Sequence, residues 1–165
     1  MAFSMEQQFS APERVRAALE TAGVEARIQE FAVSTRTAPE AADAIGTTVG
    51  QIVKSLVFIA GEAPVLALVS GINQLDPERL GLLTGSAITR ADANAVRQAT
   101  SFAIGGVPPM GFPRPIPTFI DPDLLQYDLV WAAAGTPRHV FPMSPRQLVR
   151  ITGGLVADLK LTVSE

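Results

Sequence analysis

From Gly105 to Pro117, thirteen residues hold three glycines and five prolines, too many breakers for any regular element. A sheet in this chain must therefore be assembled from segments on both sides of a long irregular loop. Before the loop, the most apolar run is Ile52–Ala60, followed at once by Val65–Ser70. Both read as strands by their apolar, β-branched content, at Leu56–Ala60 and Val65–Ser70, and Gly61-Glu62-Ala63-Pro64 joins them as a hairpin. After the loop, Pro117–Ile120, Leu129–Ala134 and His139–Phe141 read the same way, as do Ala26–Phe31 near the start and Ser101–Ile104 just ahead of the loop.

Helices are signalled between these strands. Ser10, Thr37, Asp76 and Ser144 each precede a proline at the first helical positions, and Gly23, Gly46, Gly85 and Gly153 stand where each helix should stop. Glu40 completes a capping box with Thr37, Thr48–Val53 adds a helical turn, and Ala91–Ala99 adds one more helix. Strands separated by helices of different lengths predict an α/β (mixed α+β) chain, its mixed sheet partly closed like a barrel and flanked by helices. At 165 residues the whole chain, 1–165, suits one domain, with residues 1–10 expected to be a disordered tail.

Composition removes several functions. There is no cysteine, which excludes disulfides, thiolate catalysis and cysteine-held metals. No apolar run reaches the ~18 residues of a membrane helix, and Met1–Ser10 carries Glu6 where a signal peptide would be basic, so a cytoplasmic protein without a membrane partner is expected. With a net charge of −3 the chain is not built to coat DNA, and contact with nucleic acid should be local and shape-driven.

Two features point to chemistry. Lys54 is one of only two lysines and opens the most apolar stretch of the chain. An ammonium at a strand end is a compact charge for an anionic or electron-rich ligand, although such a side chain can also snorkel into water, and both readings stand. Gly46, Gly50, Lys54 and Ser55 imitate a phosphate-binding loop, but Val53 stands where glycine is required and helix precedes the glycines. The second feature is the loop itself, in which Gly105 and Gly106 let main-chain N–H groups approach a ligand while Pro108 and Pro109 stiffen them. The sole histidine, His139, has no neighbouring nucleophile or orienting acid, and Asp121 and Asp123 read as turn and cap residues.

Taken in order, Ser34-Thr35-Arg36-Thr37-Ala38, Ile52-Val53-Lys54-Ser55-Leu56-Val57-Phe58, Gly105-Gly106-Val107-Pro108-Pro109-Met110-Gly111, and Ala134-Gly135 with His139 resemble the YbaK/prolyl-tRNA synthetase editing-domain (ProX-type) family of free-standing aminoacyl-tRNA deacylases. The resemblance runs from about Ala11 to Leu155. It implies hydrolysis of the ester that joins a wrong, small amino acid such as Ser, Thr, Ala or Cys to a tRNA 3′ end. It assigns Lys54, Gly105 and Gly106 to catalysis, with Lys54 holding the terminal nucleotide and the glycines lining the carbonyl. Thr37, Ser55, Val107, Pro108, Pro109, Gly111, Gly135 and His139 are assigned to substrate binding. A positioned water or ribose hydroxyl then attacks, and no cofactor or metal is implied. The partners implied are the aminoacyl-tRNA 3′ end and an aminoacyl-tRNA synthetase. A non-catalytic module that binds aminoacyl-tRNA or a nucleotide beside a synthetase is the alternative, with a hydrolase of free amino-acid esters behind it. Ser55 stands where some members carry asparagine or threonine, which leaves the edited amino acid open.

Overall fold

The hairpin β2 (Val53–Ala60) and β3 (Ala63–Ser70) is the spine of the computed structural model, which describes residues 9–162. The strands start three residues earlier than their hydrophobicity suggests at β2 and close through Gly61-Glu62, with Gly61 at φ +64°. Pro64 is tolerated within β3 because its pair with Ile59 is one of the alternate positions that exchange no hydrogen bonds.

Around the spine the chain runs α1 (Ala11–Thr21), β1 (Gln29–Glu30), α2 (Ala38–Ile45), a 3-10 turn (Val49–Gln51), β2, β3, α3 (Pro77–Thr84), β4 (Ile88–Arg90), α4 (Ala93–Thr100), β5 (Thr118–Ile120), a second 3-10 turn (Pro122–Gln126), β6 (Val130–Ala133), β7 (His139–Met143), α5 (Pro145–Thr152) and β8 (Leu155–Val156). The N-cap signals hold: Ser10, Thr37, Asp76 and Ser144 each accept a main-chain N–H of the first turn, and Gly46, Gly85 and Gly153 take left-handed conformations at the helix ends. The expected capping box at Thr37 is only half formed, since Thr37 accepts the Glu40 N–H but the Glu40 side chain does not return to the Thr37 N–H. The expected tail at 1–10 falls mainly on residues 1–8, which lie outside the described residues, whereas Ser10 is the α1 cap.

The expected partly closed barrel is not formed. Five strands make one sheet in the order β4-β2-β3-β5-β8, and three make a second in the order β1-β7-β6. The two are joined by a single parallel bridge between Ile52 and Trp131. Closure needs a continuous staggered ladder, and β1 and β8 have two residues each, too few to carry one. Ser101–Ile104 is likewise not a strand. Ser101 caps α4 at φ +66°, and Thr100 Oγ1 accepts the Phe102 N–H at 3.0 Å, turning the chain so that Phe102 plugs the core. Arg14 of α1 stacks on that ring, 4.4 Å from its centroid. The strand expected over Ala26–Phe31 is limited to two residues, while β4 and β8 carry no recognisable sequence signal.

β2 divides the interior. Val53 and Val57 face the main core with Val107, Phe102 and Phe141, and Leu56 and Phe58 face a smaller cluster of Leu75, Leu80, Phe119 and Leu159. Among the described residues no helix is long and apolar enough to cross a membrane.

Candidate functional site

β2 is paired along its whole length on the β3 side, but on its other side β4 reaches only Phe58–Ala60. Between the Ile52–Trp131 bridge and β4, the stretch of β2 around Ser55 therefore presents a free strand edge. The Gly71 N–H bonds to the Ile52 carbonyl at 2.8 Å, and antiparallel alternation from that pair turns the main-chain groups of Ser55 and Val57 away from β3, toward the free edge. The cleft opens along this edge. It has two lobes, of about 500 and 440 Å³, and Lys54, Ser55, Leu56, Ile104, Gly105 and Val107 line both. Volumes of this order suit a small-molecule-sized ligand group in each lobe. The larger lobe extends past Phe58, Ile88 and Arg90, and the smaller past Arg36, Thr37, Trp131 and Val140.

Lys54 leaves β2 on the same face as Leu56 and Phe58, one residue from the strand's start. Its ammonium donates to the main-chain carbonyl of Asn73. Burial pushes the ammonium below the ordinary lysine range, and the negative charge of Asp121 offsets part of that effect. The result is a half-buried cation at the junction of the two lobes, held from behind by a carbonyl.

Opposite it stands the loop. Gly105 lies at φ +92°, a conformation that favours glycine, and the Arg36 stem covers it so closely that a Cβ would meet Arg36 Cγ at 3.1 Å. Among the described residues neither the Gly105 nor the Val107 N–H has a hydrogen-bond acceptor, and both residues line the cleft. Gly106 is different. Its N–H bonds to Ala103 O at 3.0 Å, its carbonyl accepts the Gly135 N–H at 2.9 Å, and a Cβ there would sit 2.6 Å from Gly135 O. Gly106 and Gly135 thus lock two loops main chain to main chain.

Ser55 adds a further group. Its hydroxyl is buried and has no hydrogen-bond partner among the described residues. An unsatisfied buried hydroxyl is destabilising by about 1–3 kcal/mol, which a ligand's polar group would relieve. The other hydroxyls of the smaller lobe are committed: Thr35 Oγ1 donates to Pro137 O at 2.9 Å, and Thr37 Oγ1 accepts the Glu40 N–H at 3.2 Å.

Of the residues singled out in the sequence, Lys54, Gly105, Thr37, Ser55 and Val107 come together on the cleft. Gly106, Pro108, Pro109 and Gly135 are buried behind it, and Gly111 lines a separate groove beside α1. His139 does not line the cleft either. It sits in β7 opposite Glu30, its Nδ1 2.5 Å from Thr136 Oγ1 and its Nε2 3.7 Å from Glu30 Oε2. Cleft residues that sequence reasoning did not single out include Gln74, Arg90 and Trp131. Arg36 was visible in the Ser34–Ala38 motif, but its position over Gly105 depends on a contact between distant segments.

Residues 32–151 match the model of the aminoacyl-tRNA editing domain. The fold superposes with a TM-score of 0.89 on the crystal structure of "a putative trans-editing enzyme for prolyl tRNA synthetase", at 48% identity over 98% of this chain and 100% of that one. Among curated proteins, the chain is 25% identical over 124 residues to the Enterococcus faecalis protein named "Putative Cys-tRNA(Pro)/Cys-tRNA(Cys) deacylase EbsC", covering 74% of this chain and 76% of that protein. It is 28% identical over 122 residues to "Uncharacterized protein YwhH" of Bacillus subtilis, covering 73% of this chain and 78% of that protein. The matched span holds the strand-edge lysine, the glycine–proline loop and all of the lining of the two lobes except Leu161, and the chain belongs to the aminoacyl-tRNA editing domain family.

Proposed function

We propose that the protein is a trans-editing hydrolase that cleaves the ester between a small, wrongly attached amino acid and the 3′ end of a tRNA. The observation that carries this reading is the pairing, across one cleft, of a half-buried cation at Lys54 with the unbonded main-chain N–H groups of Gly105 and Val107. No histidine or carboxylate bonds a hydroxyl of that cleft among the described residues, so no side chain there is activated as a nucleophile.

An aminoacyl ester is already reactive, and positioning with electrostatic stabilisation suffices to accelerate its hydrolysis. In the proposed reaction the loop N–H groups receive the carbonyl oxygen and stabilise the negative charge that builds on it. A water adds to the carbonyl carbon, either directly or after the neighbouring ribose hydroxyl has taken over the acyl group as an intermediate ester. The bond to the ribose oxygen that then carries the acyl group breaks, that oxygen takes a proton given up by the water, and a free amino acid and a deacylated tRNA leave. Lys54 anchors the terminal nucleotide and keeps the ester between cation and loop. Arg36 and Arg90 flank the two lobes and suit the phosphates of the approaching strand.

The names of the relatives support tRNA(Pro) carrying a small amino acid as the first substrate to try. The unpartnered Ser55 hydroxyl favours an amino acid with a polar group, such as Ser, Thr or Cys, over Ala. A second reading is favoured by the net charge of −3: the domain borrows its tRNA affinity from a synthetase partner. A panel of mischarged tRNAs, with and without prolyl-tRNA synthetase, tests both. Absence of deacylation at micromolar protein for every member would overturn the enzyme reading and leave a binding module. Equal rates on free amino-acid esters would favour a small-ester hydrolase instead.

A further inference from the structure

Behind the cleft lies a polar cluster that the reaction above does not use. The turn after β3 runs from Ser70 to Asn73, closed by the Asn73 N–H bonding to Ser70 O at 2.9 Å. Its carbonyl at Asn73 is the group that receives the Lys54 ammonium. The same residue's side-chain amide spends both N–H groups on carboxylates: Nδ2 lies 2.7 Å from Asp121 Oδ2 and 2.7 Å from Asp123 Oδ2. Asp121 is 1% exposed, and also accepts the main-chain N–H groups of Ser70 and Asp123, at 3.1 and 2.9 Å. Lys160 closes the far side by donating to Asp123 Oδ2 at 3.1 Å. The chain's two lysines therefore bracket the two carboxylates, and Asn73 is the link between them.

We propose that Asn73 is a positioning residue for Lys54, its side-chain amide fixing the turn so that its own carbonyl holds the ammonium at the junction of the two lobes. This rests on the deacylase reading. Few side chains can do this. The group must be short, supply two donors in one plane and carry no negative charge between two carboxylates, which excludes aspartate by repulsion and serine by its single proton. The turn is also secured from the C-terminal side, where Asp76 N–H bonds to Leu159 O at 2.8 Å and Leu161 N–H bonds to Gln74 O at 2.7 Å. Only the Asn73 amide, however, ties the lysine's acceptor directly to the buried Asp121.

The test compares Asn73→Ala, Asn73→Asp and Lys160→Met with the unaltered chain, using a mischarged tRNA that the unaltered chain deacylates. Misplacing a group that positions the reacting atoms by about 1 Å costs up to ~100-fold, so Asn73→Ala should lower kcat by about 10- to 100-fold, with a rise in KM as the hold on the terminal nucleotide loosens. Lys160→Met, at the outer end of the cluster, should keep kcat within about threefold even if it lowers Tm, since it leaves the Asn73–Asp121 bond in place. A second readout needs no substrate. With 13C-labelled lysine, only Lys54 and Lys160 give ε-CH2 signals, and the two ε protons of a held Lys54 should be inequivalent. They should merge in Asn73→Ala and stay distinct in Lys160→Met. Should Asn73→Ala not fold, Asp123→Ala removes one of the two acceptors from the exposed side and should give a partial version of both effects. The proposal is overturned if folded Asn73→Ala keeps both its kcat and its split Lys54 signal, or if Asn73→Asp, which lacks the donors, performs as the unaltered chain does. An unaltered chain that deacylates nothing would overturn the functional reading alone, and the lysine signals would still decide the role of Asn73.

Discussion

The sharpest prediction separates the two neighbouring glycines of the loop. In Gly106→Ala the new methyl would meet Gly135 O at 2.6 Å, Gly135 C at 2.7 Å and Thr136 Cα at 2.7 Å. All three belong to main chain, so no side chain can swing aside. Overpacking of this kind is destabilising by about 1–3 kcal/mol, and the hydrogen bond from Gly135 to the Gly106 carbonyl contributes about 1 kcal/mol more if the loops part. A loss of about 2–4 kcal/mol lowers Tm by roughly 5–15 °C for a chain of this size. In Gly105→Ala the crowding atoms belong to the Arg36 side chain, which can move, and the main loss is about 1–2 kcal/mol for a left-handed alanine at φ +92°. Thermal unfolding followed by circular dichroism should therefore rank Gly106→Ala well below Gly105→Ala. Deacylation below the melting range should fall in both, by at least about tenfold in Gly105→Ala, where the change touches the donor proposed to receive the ester. A Gly106→Ala protein melting within about 2 °C of the unaltered chain would refute the account of that glycine as a loop-to-loop lock.

Lys54→Met should lower kcat/KM for mischarged tRNA by about 100-fold or more without loss of Tm, as a steady-state assay and a melt would show together. The pH dependence has a definite sign. Because the folded-state pKa of Lys54 is depressed, the unfolded chain binds more protons between that value and 10.5, so stability should rise with pH through this window, and the rise should vanish in Lys54→Met. Deacylation, corrected for spontaneous ester hydrolysis, should begin to fall on the alkaline side below pH 10.5. Ser55→Ala removes a buried hydroxyl without a partner, so stability should stay level or rise by about 1 kcal/mol while the preference among Ser, Thr, Cys and Ala esters shifts toward Ala, read from the same panel. His139→Ala should keep kcat/KM within about threefold, its ring lying outside the cleft; a loss beyond about tenfold would place it in the reaction after all.

The legible parts of this fold are those governed by nearest neighbours along the chain. Caps at Ser10, Thr37, Asp76 and Ser144 act over three residues, and each was readable because its partner stands in the same short window. The hairpin and the breaker-rich loop were legible for the same reason. What failed was non-local. Whether the sheet closes depends on ladders between distant strands, and β4 and β8 exist only because β2 and β5 present edges to short segments with no alternation of their own. The site divides likewise: Lys54 and Gly105 stand out by composition, whereas the Asn73 amide, the Arg36 stem and the Gly106–Gly135 contact join residues dozens of positions apart. Asp121 shows the limit plainly, since the local reading as a turn and cap residue is right, Asp123 N–H bonding to its Oδ1, yet the other oxygen anchors Ser70 and Asn73.

The open stretch of β2 bears on how such a site is inherited. Its hydrogen-bonding surface consists of main-chain groups at Ser55 and Val57 on one wall and at Gly105 and Val107 on the other, and a mutation that exchanges one side chain for another leaves those groups in place. Side-chain changes in this cleft can therefore resize the lobes, and under the proposed function the amino acid accepted, while the main-chain groups proposed to receive the ester persist. The positions that resist exchange are the glycines of the loop, Gly105 in its left-handed conformation and Gly106 against Gly135, the ammonium at Lys54 and the Asn73 amide behind it. Under the proposed function, a few side chains at the lobe walls would then set the substrate on an unchanged main-chain frame.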